Sequence, residues 1–117
     1  MGWQRLVLPY CNMVKNMYNR DIYFEWDDVK NAENIEKHGI SFEEAQKVFA
    51  DRQRVVWLDK KHSHGEKREF CVGSTGEGIA TVRFTIRGNV IRIFGAGYWR
   101  KGRRIYETRN RIHGRPS

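Results

Sequence analysis

Lys37 and His38 stand side by side just before Gly39. A lysine ammonium is a fixed cation for a phosphate, and an imidazole gains and loses a proton near neutrality. Further along, Arg68, Arg83, Arg87 and Arg92 recur on stretches that read as neighbouring strands, so their guanidinium groups can converge on one sheet face. Such a set suffices to cut RNA without a metal. The 2′-hydroxyl attacks its own phosphodiester, a base takes the hydroxyl proton, an acid protonates the leaving oxygen, and cations stabilise the phosphorane. Trp99 and Tyr106 add aromatic faces for base stacking, and Arg100 a further cation. Lys37, His38, Arg68, Arg83 and Arg92 are therefore the candidate catalytic residues; Arg87, Trp99, Arg100 and Tyr106 are the candidate RNA contacts. Plainer readings stand beside these: His38 as the electrostatic cap of a helix end, and the arginines as a solvated sheet face.

Other chemistries lack their residues. No serine sits in a nucleophile elbow. Gly95-Ala96-Gly97 resembles a phosphate loop only weakly, since no Lys-Ser/Thr pair follows it. His62 and His64 form an H-x-H in a turn rich in lysine and glycine, with no cysteine or carboxylate cluster at ligand spacing. No metal and no cofactor are expected.

The elements that must position the candidates follow from pattern. Ile22 to Trp26 is rich in strand formers. Asp27 is a natural N-cap, and Val29, Ala32 and Ile35 follow at helical spacing as the expected buried stripe. Gly39 ends that helix. Ser41-Phe42-Glu43-Glu44 is a capping box, and Phe42, Ala45, Val48 and Phe49 form the apolar face of a second short helix. Strands are expected at 54–58, 67–73, 79–87 and 90–94. Ala80, Val82, Phe84 and Ile86 alternate with Thr81, Arg83, Thr85 and Arg87, the mark of a strand with one buried face. Gly88-Asn89 is a hairpin turn. A short C-terminal helix is expected from about Trp99 to Glu107. The reading is an α+β domain: two N-terminal helices packed on an antiparallel sheet of four to five strands, then the short helix. Phe42, Val48, Phe49, Val82, Phe84 and Ile93 are the expected core. Residues 1–20 read as a flexible leader, 21–107 as a single domain and 108–117 as a basic tail.

The chain of 117 residues carries a formal charge of +8, spread unevenly. Residues 61–117 hold thirteen basic and four acidic side chains, whereas 21–60 hold six basic and ten acidic. A strongly basic second half suits a polyanionic partner, most simply nucleic acid. The same charge would also serve a module that binds nucleic acid without cutting it. No apolar run approaches membrane-spanning length, and two cysteines, Cys11 and Cys71, suggest no disulfide framework but a reducing compartment.

The stretch FEWDDVKNAENIEKHGISFEEAQKVF, followed by GEKREFCVG, TVRFTIRGNVIRIF and RRIYE, resembles the BrnT family of toxins. The resemblance covers roughly residues 22–107. Its first block, W-D-x-x-K-x-x-x-N-x-x-K-H-G, is matched by Trp26, Asp27, Lys30, Asn34, Lys37, His38 and Gly39. A G-E-x-R element is Gly65, Glu66 and Arg68, and a late run is Arg87, Ile91, Arg92 and Ile93. After Ile93 the chain departs from the family pattern. The arginine expected at the strand end is replaced by Phe94-Gly95-Ala96-Gly97, leaving Arg100, Arg103 or Arg104 as stand-ins. The resemblance implies a RelE-like fold and a ribonuclease toxin of a bacterial type II toxin–antitoxin module. It further implies an RNA substrate, a cognate BrnA antitoxin, a cytoplasmic setting, and promoter DNA bound mainly through the antitoxin.

Overall fold

Asp27 ends a strand and starts a helix, and that junction sets the architecture. In the computed structural model, which describes residues 3–7 and 22–112, strand β2 (Tyr23–Asp27) runs directly into helix α1 (Asp28–His38). The Asp27 carboxylate accepts from Val29 N at 2.9 Å, satisfying one of the free amides of the first turn. Gly39 closes α1 at φ +70°, a left-handed conformation that glycine enters without steric cost. Ser41 Oγ accepts from Glu44 N at 3.0 Å and opens α2 (Phe42–Ala45), which tightens into a 3-10 turn over Gln46–Ala50. The sequence pattern predicts one continuous helix there. The tighter winding instead buries three consecutive residues, Val48, Phe49 and Ala50.

Four further strands follow: β3 (Val55–Leu58), β4 (Glu69–Ser74), β5 (Ile79–Arg87) and β6 (Val90–Gly97), then helix α3 (Arg100–Ile112). With β1 (Trp3–Val7) they form one sheet in the order β1-β2-β6-β5-β4-β3, more strands than the four to five expected. Short connections make β3 through β6 antiparallel. β2 instead pairs in parallel with β6 over Tyr23–Glu25 and Val90–Arg92. Part of the expected leader, Trp3–Val7, pairs antiparallel with β2. The rest of that leader and the tail beyond 112 lie outside the described residues.

The architecture is α+β, with helices on both faces. On one face Phe42, Val48 and Phe49 meet Val82, Phe84 and Ile93, and all six expected core residues are buried. Phe49 binds this core together, its ring centroid 5.4 Å from Phe24 and 4.9 Å from Phe84. On the other face α3 lays Tyr106 against Val55 and Val72, so this face is partly covered. Ile93 pairs with Phe84 where a bulge interrupts the β5–β6 register. Ile93→Val is expected to cost about 0.5–1.5 kcal/mol, read from denaturant melts; a neutral change would mean that the bulge repacks freely.

One expectation is overturned. Val29 and Ile35, predicted to face the core, are 65% and 46% exposed, and the buried residue of α1 is Asn34. The helix does not lie flat on the sheet. It runs along the margin of β6, where a polar stripe is needed.

Candidate active site

The reason for that polar stripe is the backbone of β6. β2 pairs with β6 only as far as Arg92, so beyond that point β6 has backbone groups in need of a partner. Asn34 supplies one. Its Nδ2 donates to Ala96 O at 2.9 Å, and Ala96 N donates to its Oδ1 at 3.2 Å. The same Nδ2 donates to Ile40 O at 2.9 Å, fixing the chain just past α1. One amide side chain thus replaces a strand neighbour and fastens α1 to the sheet. Asn31 helps: its Oδ1 accepts from Phe42 N at 2.8 Å, tying α1 to the start of α2.

Fastened this way, α1 forms one wall of a cleft of about 200 Å³ lined by Lys30, Glu33, Asn34, Lys37 and His38. Arg83, Phe94, Gly95 and Trp99 form the opposite wall. Gly95 pairs with Arg83 across the β5–β6 ladder, and a side chain there would come within 3.8 Å of Arg83 Cδ. That is ordinary van der Waals contact, so the arginine packs along the sheet directly beside position 95. Trp99 turns back over the end of β6, and its ring meets the His38 ring edge-on at 5.4 Å. Gly97 is the seat of that indole, because a Cβ built on it would fall 2.4 Å from Trp99 Cε2. Gly97→Ala is expected to displace Trp99 from His38, read as a shift of the Trp99 indole N–H resonance identified through Trp99→Phe. An unmoved resonance would show that the ring does not rest there.

The structure thus brings together Lys37, His38, Arg83 and Trp99 from the sequence candidates. Arg68 sits beside the cleft rather than in it, its guanidinium 4.2 Å above the Phe94 ring. Arg92 is engaged with Glu25 at 2.5 Å, and Arg87 with Glu66 at 2.6 Å. The hydrogen bond from Arg87 holds the Glu66 carboxyl below the usual carboxylate range; burial opposes it, and the charges of Arg87, Arg68 and Arg92 each add a smaller downward pull. The stability this adds is present above the ordinary carboxylate range and lost as pH falls through the lowered value. Arg100 is exposed in the first turn of α3.

Tyr106 requires a correction. It is 8% exposed, and its hydroxyl donates to Asp51 Oδ2 at 2.7 Å. Asp51 Oδ2 also accepts from Ser74 N at 2.8 Å. Tyr106 is a packed strut between α3 and the 51–53 turn, with no ring face free for a base. Gly95-Ala96-Gly97, weakly like a phosphate loop in sequence, is the last part of β6.

Five lining residues were not among the candidates: Lys30, Glu33, Asn34, Phe94 and Gly95. The signal for two of them was present. Lys30 and Asn34 stand at i and i+4, with the candidate Lys37 at i+7, on one face of a helix.

None of the curated proteins matches the chain. Residues 26–102 match the family of the ribonuclease toxin BrnT of type II toxin–antitoxin systems. That span is more than half of the chain and includes every residue lining the cleft. The protein accordingly belongs to the BrnT family of ribonuclease toxins of type II toxin–antitoxin systems.

Proposed function

We propose that the protein is an endoribonuclease that cuts RNA in the cleft between α1 and β5–β6 without a metal, and arrests growth unless a cognate BrnA-like antitoxin holds it. The observation that carries this reading is that Lys37, His38, Arg83 and Trp99, from separate parts of the chain, line one cleft. Lys37 and Arg83 bind the scissile phosphate and the charge that builds on the phosphorane. Glu33 and His38 divide the proton transfers. One removes the proton of the attacking 2′-hydroxyl, and the other protonates the leaving 5′-oxygen. The P–O5′ bond breaks as the P–O2′ bond forms, leaving a 2′,3′-cyclic phosphate. Trp99 stacks on a base beside the cut. Arg68, Arg87 and Arg92 extend the positive surface along which the flanking phosphates run, and Arg100 adds a cation at the start of α3.

Metal independence is supported by the donor set: the lining carries a single carboxylate, Glu33, where divalent ions take several oxygen donors. The helices on a mostly antiparallel sheet suit a RelE-like arrangement. Promoter DNA is engaged through the antitoxin complex, and the setting is the bacterial cytoplasm. Among the described residues no helix is long and apolar enough to cross a membrane.

The test is incubation of the purified chain with RNA in EDTA. Products ending in 2′,3′-cyclic phosphate and 5′-hydroxyl are expected. RNA that is bound but left intact would favour a module that binds nucleic acid without cutting it. Cleavage restored only by magnesium would overturn the metal-free mechanism.

A further inference from the structure

Among the described residues β3 is an edge strand, without the defences that edges normally carry. Val55-Val56-Trp57-Leu58 contains no charge and no proline, whereas sheet edges are usually blunted by lysine, proline or a bulge. Its hydrogen-bonding phase follows from one contact. Asp59 N donates to Arg68 O at 2.8 Å, so in the antiparallel ladder with β4 the odd-numbered residues turn their backbone groups inward. Val56 and Leu58 therefore direct their N–H and C=O groups outward, ready for another strand.

Both flanks of this edge are apolar. On one side Val56 and Leu58 are each 41% exposed. On the other, a groove of about 380 Å³ runs between β3 and α3, lined by Val55, Trp57 and Ile105, with Arg104 and Arg109 among its walls and no acid in the lining. Arg52, Lys60 and Lys61 stand exposed at the two ends of the strand.

These features select an occupant. An added strand places alternate side chains on the two flanks, so it must be apolar where it meets Val55, Trp57 and Ile105. It must carry acids where it passes the arginines. An RNA backbone suits the arginines but offers no ladder of amides and carbonyls for Val56 and Leu58. A second copy of this chain brings the same charge of +8 and would set arginine against arginine. We infer that β3 and the groove under α3 are the docking site for an extended, acidic and apolar segment of the cognate antitoxin, added to the sheet as a further strand. This rests on the reading that such a partner neutralises the toxin. The site lies three strands from β6 in the sheet order, so the segment anchors the antitoxin away from the catalytic cleft.

The experiment uses the full chain co-expressed with the product of the adjacent antitoxin gene. Amide exchange at Val56 and Leu58 is expected to slow in the complex relative to the toxin alone. Val56→Lys, an exposed substitution that charges the edge, is expected to weaken antitoxin binding by at least about tenfold and leave RNA cleavage unchanged. Exchange measured on the unsubstituted chain keeps the test valid should that variant misfold. A complex with β3 unprotected, or bound as tightly by Val56→Lys, overturns the docking site while leaving the partner intact. Equal protection of β3 by RNA, or a toxin dimer abolished by Val56→Lys, also overturns it. Absence of any complex overturns the partner reading and this site with it.

Discussion

Arg83→Ala is expected to lower RNA cleavage by about 10²–10³-fold with little change in thermal stability. The magnitude is that of removing one preorganised donor from a developing oxyanion, and the position argues for it. Arg83 lines the cleft opposite Lys37 and His38, and among the described residues no carboxylate forms an ion pair with it. Arg92 and Arg87 differ: Glu25 and Glu66 already hold them. Arg92→Ala should act first on structure, because its ion pair joins β6 to β2, and Arg87→Ala should have a small effect, since exposed pairs contribute at most about 1 kcal/mol. The comparison is therefore of three alanine variants, each checked by circular dichroism and then assayed on RNA. A folded Arg83→Ala with full activity would remove the cleft as the phosphate site. Loss of activity in Arg87→Ala instead would move the site to the arginines around Glu66.

The sequence made the helix ends legible because capping is local. Asp27, Gly39 and Ser41 each act on backbone within a few residues, and each does so in the structure. The face of β5 was legible for a similar reason over Ala80, Val82 and Phe84, which are buried, whereas Ile86 of the same alternation is 37% exposed and Thr81 and Thr85 of the other face are buried. The orientation of α1 was not. An apolar triplet at Val29, Ala32 and Ile35 predicts burial when a helix lies on a sheet. It fails where the helix lies along a margin whose backbone needs polar partners. Tyr106 was misread because an aromatic near arginines looks the same in sequence whether it stacks on a base or donates to a half-buried carboxylate. The convergence of Lys37, His38 and Arg83 could be guessed from residue type, but the contact depends on the register of β5 against β6. That register places Gly95, with no side chain, opposite Arg83, a long-range pairing that no local pattern encodes.

Asn34→Leu is expected to be the most damaging change in α1, costing about 3–6 kcal/mol, because three buried backbone groups each lose a partner worth roughly 1–2 kcal/mol to leave unmade. Those groups are Ala96 N, Ala96 O and Ile40 O. Leucine has the branched shape of asparagine with bulkier methyl ends, so it fills the space, keeps water out and bonds to none of them. A loss of this size is a large part of the stability of a domain with about 5–15 kcal/mol in all. The cleft should suffer even where the fold survives, because Asn34 fastens the helix that carries Glu33, Lys37 and His38. Asn34→Asp separates the hydrogen bonds from the packing. Its carboxylate still accepts from Ala96 N but faces two carbonyl oxygens in place of the donor they need. Protonation restores a donor, so the folded state raises the pKa of this carboxyl. The stability is then present at low pH and lost as pH rises through the folded value. Denaturant melts of both variants at mildly acidic and neutral pH read this out. The expected result is a large loss in Asn34→Leu at both pH values and a loss in Asn34→Asp that shrinks in acid. Midpoints for Asn34→Asp that do not move with pH, together with a cost below about 1 kcal/mol for Asn34→Leu, would show that water can satisfy the margin of β6. In that case α1 would be held in place by its contacts with α2 instead.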